Sequence, residues 1–321
     1  MLASTLDTTV TCAIMVTAYA GIAIFADIFL FLVKVTYFIV EGTFRIFFPV
    51  EEKSVAGEIV LITGAGHGIG RELALQYASL GAKIVCWDLN EKSNNETAEE
   101  IKRANVASAV YTYKCDVTNR EEVFRVSENV RKEVGDVTIL VNNAGIMPCR
   151  TLLDHTPEEI RKIFDVNVIA HFWTLQAFLP SMIEKNHGHV VALSSMAGIS
   201  GLPNLVPYCG SKFAVRGLME ATALELRDLM ATKEMNIKFT CVFPYMVDTG
   251  LCKKPKVRFP SIMSLLPPKV AATEIVRAQR RNIPEASIPG IFFHVNNVAR
   301  NFPTKVGLLL RDFLDSGVEA D

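Results

Sequence analysis

Apolar residues crowd the first forty positions of the chain and then settle into short, evenly spaced runs. Residues 8–40, TTVTCAIMVTAYAGIAIFADIFLFLVKVTYFIV, carry only Asp27 and Lys34 as charges, and Thr8 to Ala26 is a charge-free stretch of nineteen. A helix of ~20 apolar residues spans a bilayer, and few core helices are apolar on every face for so long. The pattern therefore predicts a retained membrane anchor over residues 1–42. A cleaved signal peptide fits less well, because no Lys or Arg precedes the run and the run exceeds a signal-peptide core. Basic side chains first appear at Lys34, Arg45 and Lys53, which favours a cytosolic position for the bulk of the chain. Whether the segment crosses, or dips in and returns around Asp27, stays open at this level. Residues 43–56 mix bulky apolar and charged side chains and read as an interfacial linker.

From residue 57 the period changes. EIVLIT (58–63), KIVCWD (83–88), AVYTY (109–113), TILVN (138–142), HVVALS (189–194) and IKFTCVF (237–243) are short β-branched runs. Helix-like stretches separate them, among them GRELALQYASLG and a long one over 158–184. Strands apolar throughout and alternating with helices predict a parallel sheet covered on both faces, a doubly wound α/β domain of Rossmann type over residues 57–285. Within it, residues 250–268 lose the pattern: they hold Lys253, Lys254, Lys256 and Arg258 around a greasy centre that includes Ile262, Met263, Leu265 and Leu266. Residues 286–321 read as a strand-like apolar piece and an amphipathic helix facing something apolar, a membrane-facing segment.

Composition narrows the function classes. With 321 residues, half of them apolar, and a net charge of −1, the chain lacks the basic excess of a nucleic-acid binder. Its seven cysteines are scattered with no CxxC pair, which argues against a disulfide framework or zinc site and for a reducing compartment. No metal site is expected.

Two stretches carry chemistry. TGAGHGIG (63–70) follows the first strand and opens the first helix. Gly64 suits the tight turn, Gly68 lets the backbone approach a phosphate, and Gly70 allows close helix–strand packing, with the helix N-terminus facing a pyrophosphate. Asp88 ends the second strand eighteen residues beyond Gly70. A carboxylate there accepts hydrogen bonds from ribose hydroxyls and repels a 2′-phosphate, which favours NAD over NADP. His67 is the only side chain in the loop able to carry charge. The second stretch is VPYCGSKFAV (206–215), with Tyr208 and Lys212 one helical turn apart. Alcohol oxidation needs a base for the hydroxyl proton, and a free phenol of pKa ~10 is a poor one. A lysine ammonium on the same helix face is expected to pull that value down.

The spacing in TGAGHGIG resembles the T-G-x-x-x-G-x-G of the short-chain dehydrogenase/reductase family. So do CDVT (115–118), NNAG (142–145), the serine thirteen residues before Tyr208 in LSSMAG, and the asparagine in FDVNVIAHF. The resemblance covers roughly residues 55–250. It implies Asn167, Ser195, Tyr208 and Lys212 as the catalytic set: Ser195 holding the substrate oxygen, Lys212 gripping the nicotinamide ribose, Asn167 holding a relay water. It also implies Gly64, Gly66, His67, Gly68, Ile69, Gly70, Asp88, Asp116, Val117, Asn143, Ala144, Gly145, Pro244, Val247 and Thr249 at the cofactor, with Asp116 on the adenine amino group. A plainer reading of Asp116 is a helix cap, compatible with that role. One departure stands out: Tyr245 follows Pro244 where the family often has glycine, which adds bulk at the substrate entrance.

The hydrophobic front together with GDVTILVNNAG, NVIAHFWTLQAFLPSM and YCGSKFAVRG resembles the membrane-bound branch containing 17β-hydroxysteroid dehydrogenases types 11 and 13 and the epidermal retinol dehydrogenases. That branch implies a lipophilic alcohol (a steroid, retinol or fatty-acid derivative), residence at the endoplasmic reticulum or lipid droplets facing the cytosol, and a homodimer. An NADPH-dependent ketoreductase and a lipid-droplet scaffold with incidental catalysis are the rival readings. The four basic residues of 250–268 are expected to meet anionic head groups, and its apolar centre to meet acyl chains.

Overall fold

A computed structural model of the chain describes residues 2–104, 108–231, 234–260 and 264–320, with side chains from Tyr19 onward. It divides into two units, Met1–Glu51 and Glu52–Asp321. The first is one helix, α1 (Leu2–Phe47). It passes Asp27 unbroken, so the chain does not turn back there, and it overruns residue 42 into the stretch assigned to a linker. Local bonds extend it: Arg45 Nε donates to Glu41 at 3.0 Å, one turn back, and Thr43 Oγ1 to the Ile39 carbonyl at 2.8 Å. An 18-residue window of Tyr19–Phe47 has a mean hydropathy of 2.2, and none of it is buried. At 1.5 Å per residue the 29 residues of Tyr19–Phe47 reach about 43 Å, long enough to cross a membrane core of ~30 Å.

The second unit alternates strands and helices. β1 (Ile59–Thr63), α2 (Gly68–Ser79), β2 (Lys83–Asp88), α3 (Glu91–Ala104), β3 (Val110–Lys114), α4 (Arg120–Glu133) and β4 (Ile139–Asn142) come first. Then follow α5 (Pro157–Phe164), α6 (Ala170–Lys185), β5 (Gly188–Leu193), α7 (Val206–Leu229), β6 (Ile237–Pro244), β7 (Pro255–Lys256), α8 (Pro268–Arg280), β8 (Glu285–Ile288), α9 (Ile291–Ala299), α10 (Thr304–Leu314) and β9 (Gly317–Val318). Seven strands form one parallel sheet in the order β3-β2-β1-β4-β5-β6-β8. Successive strand residues point to opposite faces, and here both faces are covered. Leu61, Val85, Trp87 and Leu140 pack with α4, α6 and α7 through Val123, Phe178 and Val215. Val60, Ile62, Ile84 and Val141 pack with α2 and α8 through Leu73, Tyr77 and Ile275. That double burial is why the strands read as unbroken apolar runs.

Three expectations are corrected. The sheet continues through β8 to Ile288, past the expected domain end at 285, and the apolar piece read as strand-like at the start of 286–321 is strand only to Ile288 and the helix α9 from Ile291. The long helix over 158–184 is two helices joined by a wide π-helical turn, Asp165–Ile169, which contains Asn167. Such turns are rare and cluster at functional sites. As expected of a doubly wound sheet, the strand order reverses between β1 and β4, so a crevice opens at their carboxyl ends.

Candidate active site

The carboxyl ends of β1 and β4 are stitched together. Thr63 Oγ1 accepts from the backbone N–H of Asn143 (3.0 Å) and of Ala144 (3.1 Å), and Asn143 Nδ2 donates to the carbonyls of Thr63 and Gly64 (2.9 and 3.1 Å). Gly64 (φ +67°) and Gly68 (φ +58°) adopt the left-handed conformation that favours glycine. A Cβ on Gly70 would strike the Gly64 carbonyl, and one on Gly66 would strike the Ser93 hydroxyl. Asp88 braces the loop: one carboxylate oxygen accepts from the Gly66 N–H and the other from the Asn90 N–H, both at 2.8 Å. Asp116, at the next strand end, accepts from the Thr118 N–H and hydroxyl. It does not cap α4; Asn119 does, accepting from the Glu122 N–H. Val117 beside it is buried.

At the other end of the crevice, Tyr208 and Lys212 lie on the first turns of α7, both nearly closed to solvent. Ser195 starts a short turn after β5, accepts from the Ala197 N–H at 3.1 Å, and hydrogen-bonds the Tyr208 phenol. Lys212 Nζ donates to the Leu193 carbonyl at 2.7 Å and lies 5.7 Å from the centre of the Tyr208 ring. Burial pushes the Tyr208 phenol up to about 12, and the Ser195 bond opposes that only in part. Burial likewise brings the Lys212 ammonium down to about 8. The expected depression of the tyrosine by Lys212 is not among the causes acting on the phenol in this structure: burial sets the direction, and the ammonium is turned to the Leu193 carbonyl.

Asn167 is fully buried and clamps Ile146, accepting from its N–H (2.9 Å) and donating to its carbonyl (3.0 Å); its other N–H reaches Ser211 Oγ (3.1 Å). Both amide protons are committed, so the side chain positions the Gly145–Ile146 wall and has no proton left to donate to a relay water. Three groups that sequence reasoning passed over complete the support. Thr63 ties the strand ends, Ser194 Oγ donates to the Lys212 carbonyl at 2.8 Å, and His171 is held down to about 3 by burial and by Lys212, so it adds no charge. Thr63 is the first residue of the T-G-x-x-x-G-x-G pattern, although its tie to Asn143 and Ala144 was not foreseen; nothing in the spacing of Ser194 and His171 marks them.

A cavity of about 680 Å³ joins the two ends. Gly64, His67, Gly68, Ile69, Asn143, Ala144, Gly145, Ser195, Tyr208, Lys212, Pro244, Val247 and Thr249 line it. Gly66, Gly70, Asp88, Asp116, Val117 and Asn167 do not; they stand behind the lining or at the crevice edge. Its outer wall is α9 and α10, through residues such as Phe292, Val295, Leu308 and Leu314, with Tyr245 edge-on to Phe292 at 5.3 Å. Three of the four basic residues of the 250–268 segment clasp this wall and the tail after it: Lys254 Nζ donates to the Ala320 carbonyl, Lys256 pairs with Asp315 at 2.7 Å, and Arg258 donates to the Phe313 carbonyl. Leu266 bridges to Val247 and packs on the sheet core. Ile262 and Met263 lie outside the described residues.

Comparison with known proteins agrees with this architecture. Residues 58–257 match the short chain dehydrogenase family model. Human epidermal retinol dehydrogenase 2 is 43% identical over 287 residues, covering 89% of this chain and 92% of that one. Human 17-beta-hydroxysteroid dehydrogenase 13 is 44% identical over 255 residues, covering 79% and 81%. A crystal structure of a short chain dehydrogenase/reductase from Burkholderia phymatum in complex with NAD shares the fold at 24% identity and a TM-score of 0.69, over 77% of this chain and 94% of that one. The stitched glycine loop, the Asn167–Ser195–Tyr208–Lys212 cluster and a family match over most of the second unit establish that this chain belongs to the short-chain dehydrogenase/reductase family.

Proposed function

We propose that the protein is a membrane-associated, NAD-linked dehydrogenase that oxidises a lipophilic alcohol to the carbonyl. The observation that carries this reading is the position of the Tyr208 phenol, hydrogen-bonded to Ser195 where a largely apolar cavity meets the glycine loop. The residues fit a dinucleotide: the N-terminus of α2 opens toward the cavity, Gly64 and Gly68 hold left-handed turns, and Asp88 and Asp116 stand at neighbouring strand ends with carboxylate oxygens still able to accept. NAD⁺, when bound, accepts the hydride and brings a positive charge beside the phenol. Ser195 holds the alcohol oxygen, and Tyr208 takes its proton. Lys212 stabilises the phenolate, and the nearby charge is what brings Tyr208 down from the value that burial alone imposes. Asn167 fixes the wall opposite. Carboxylate Asp88 supports NAD over NADP, since a 2′-phosphate beside it meets like charge.

The apolar lining and the names of the two human relatives support a steroid-, retinol- or fatty-acid-sized substrate. The exposed apolar length of α1 supports residence in a membrane of the endoplasmic reticulum or lipid-droplet system, with the second unit in the cytosol. Exposed Phe172, Phe213 and Leu224 on α6 and α7 support pairing of two copies there. Measuring NADH formation by membrane-bound enzyme with retinol, estradiol and hydroxylated fatty acids tests the reading, with NADP⁺ in parallel. Turnover is expected with NAD⁺ and a lipophilic alcohol. Turnover restricted to small water-soluble alcohols, or faster with NADP⁺, contradicts it and favours a ketoreductase.

A further inference from the structure

Three of the seven cysteines converge on Tyr208 from distant parts of the chain. Cys149 follows β4, Cys209 stands next to Tyr208 on α7, and Cys252 lies in the segment after β6. Cys149, Cys209 and Tyr208 are buried in one small apolar cluster with Val318, and Cys252 packs against it. All three are thiols. A run of hydrogen bonds links the chain beside Cys149 to the chain beside Cys252 through β9. The Arg150 N–H donates to the Asn204 carbonyl at 3.0 Å, and Asn204 Nδ2 donates to the Val318 carbonyl at 2.9 Å. Val318 pairs with Pro255, and the Glu319 N–H donates to the Lys254 carbonyl at 3.0 Å. The three thiols also act on the Tyr208 phenol: after burial, they add to its upward push.

Access separates them. Cys252 is half-buried and lines the cavity, whereas Cys149 and Cys209 are buried and do not line it. Cys209 is fixed in a helix, and its sulfur is engaged by both the N–H (3.4 Å) and the carbonyl (3.9 Å) of Leu202. Cys149 and Cys252 both lie on irregular chain, which can shift to bring two sulfurs together. A solute in the cavity therefore meets one thiol with a second in the same cluster.

We propose that Cys252 and Cys149 form a reversible oxidation site for an organic hydroperoxide that enters the cavity, and that their disulfide switches off alcohol oxidation. The effect rests on the dehydrogenase reading above; the bond rests on the cysteine cluster alone. The Cys252 thiolate attacks one peroxide oxygen, so that an S–O bond forms as the O–O bond breaks, and the departing alkoxide takes up the thiol proton to leave as an alcohol. The Cys149 thiol then attacks the sulfenic sulfur; the S–S bond forms, and the hydroxyl leaves with the second thiol proton as water. The two sulfurs together give up the two electrons that reduce the peroxide. The cavity favours an organic peroxide over hydrogen peroxide, because Leu202, Phe292 and Val295 make its lining apolar. The bond ties the segment after β6 to the loop after β4 against the Tyr208 ring and moves the wall where the substrate oxygen meets Ser195. The glycine loop (63–70) holds no cysteine, so the cofactor end is left as it was. A reducing compartment opens the bond again.

Full-length enzyme in a non-ionic detergent is treated with cumene hydroperoxide or hydrogen peroxide. NADH formation and NAD⁺ affinity are then measured, and proteolytic peptides made without reductant are mapped by mass spectrometry. The expected result is a peptide pair joined through Cys149 and Cys252, reached at a lower concentration of cumene hydroperoxide than of hydrogen peroxide. NADH formation is expected to fall about a hundredfold, as for a misplaced substrate, with NAD⁺ affinity unchanged and activity restored by dithiothreitol. Cys252→Ser is expected to keep most of its own untreated rate. Cys149→Ala, which lacks the second thiol, is expected to pass on to the sulfinic acid and no longer recover with dithiothreitol. The proposal is overturned if no Cys149–Cys252 peptide forms, if Cys252 pairs with Cys209 instead, or if the bond forms and activity persists. Inactivation of Cys252→Ser as fast as the wild type overturns it too. Should either substituted chain fail to fold, the peptide map and the recovery of the wild type decide. No NADH formation before treatment overturns the dehydrogenase reading, and the bond then stands or falls on the peptides.

Discussion

Lys212 is the residue at which function and stability diverge most clearly. Its ammonium is buried with one carbonyl partner, and its value falls from 10.5 to about 8. The sign follows from the protons bound. Between pH 8 and 10.5 the unfolded chain holds a proton on this group that the folded chain has lost, so stability rises with pH in that window. Below it both states are charged and the full cost of burial stands, about 3 kcal/mol at 1.36 kcal/mol per unit. Lys212→Met is therefore expected to melt at or above the wild-type temperature at pH 7, with the gain shrinking toward pH 10, while oxidation is lost. A substituted protein that melts several degrees lower would show that the lysine contributes to the fold more than burial takes away. Tyr208 titrates in the opposite sense: its phenol is raised by burial, so oxidation by this base is expected to climb with pH on the alkaline side.

The glycine loop and the π-helical turn show what one element asks of its sequence. Gly70 lies in the first turn of α2 against the Gly64 carbonyl, where a Cβ has no room and the obstacle is backbone. Gly70→Ala is expected to cost about 3 kcal/mol through overpacking and to weaken NAD⁺ binding at least tenfold, measured by thermal melting and fluorescence titration. Unchanged values would mean that the loop shifts freely and is no template for a phosphate. These glycines were legible because their spacing is dictated by backbone geometry within eight residues. Asn167 was legible only by resemblance, and its task was read differently: no local pattern shows that its amide would meet the backbone of Ile146, twenty-one positions earlier. The break of the long helix at Asp165–Ile169 was equally hidden, because the apolar residues Val166, Val168 and Ile169 run on through it with no Gly or Pro to mark the turn.

At the scale of the molecule, the doubly wound sheet was legible because strands buried on both faces must be apolar throughout. The cavity wall was not. α10 falls where an amphipathic helix was expected, but neither α9 nor α10 contains a buried residue, and no local pattern shows that Phe292, Val295 and Leu308 line a cavity. Likewise the basic residues of 250–268 looked free for lipid until their carbonyl and carboxylate partners in the C-terminal segment, about sixty positions away, came into place. The second unit has its own core, and its first residues are secured within it: Glu52 pairs with Arg280 at 2.5 Å and Arg281 at 3.3 Å, and Val55 is buried. A chain shortened to residues 52–321 is thus expected to fold and bind NAD⁺. The full chain should remain in the membrane pellet after alkaline carbonate washing and the shortened one should leave it; retention of both would place the membrane attachment outside α1.

The central claim is that Tyr208 is the base of an NAD-linked alcohol oxidation, and a single comparison reaches it. Wild-type enzyme and Tyr208→Phe are mixed with NAD⁺ and the best alcohol of the panel, and NADH is followed by its fluorescence, with NAD⁺ affinity measured separately. The account predicts unchanged NAD⁺ binding and a loss of at least about a thousandfold in NADH formation, the upper part of the range for general acid–base catalysis. NADH formation within tenfold of the wild type would contradict it.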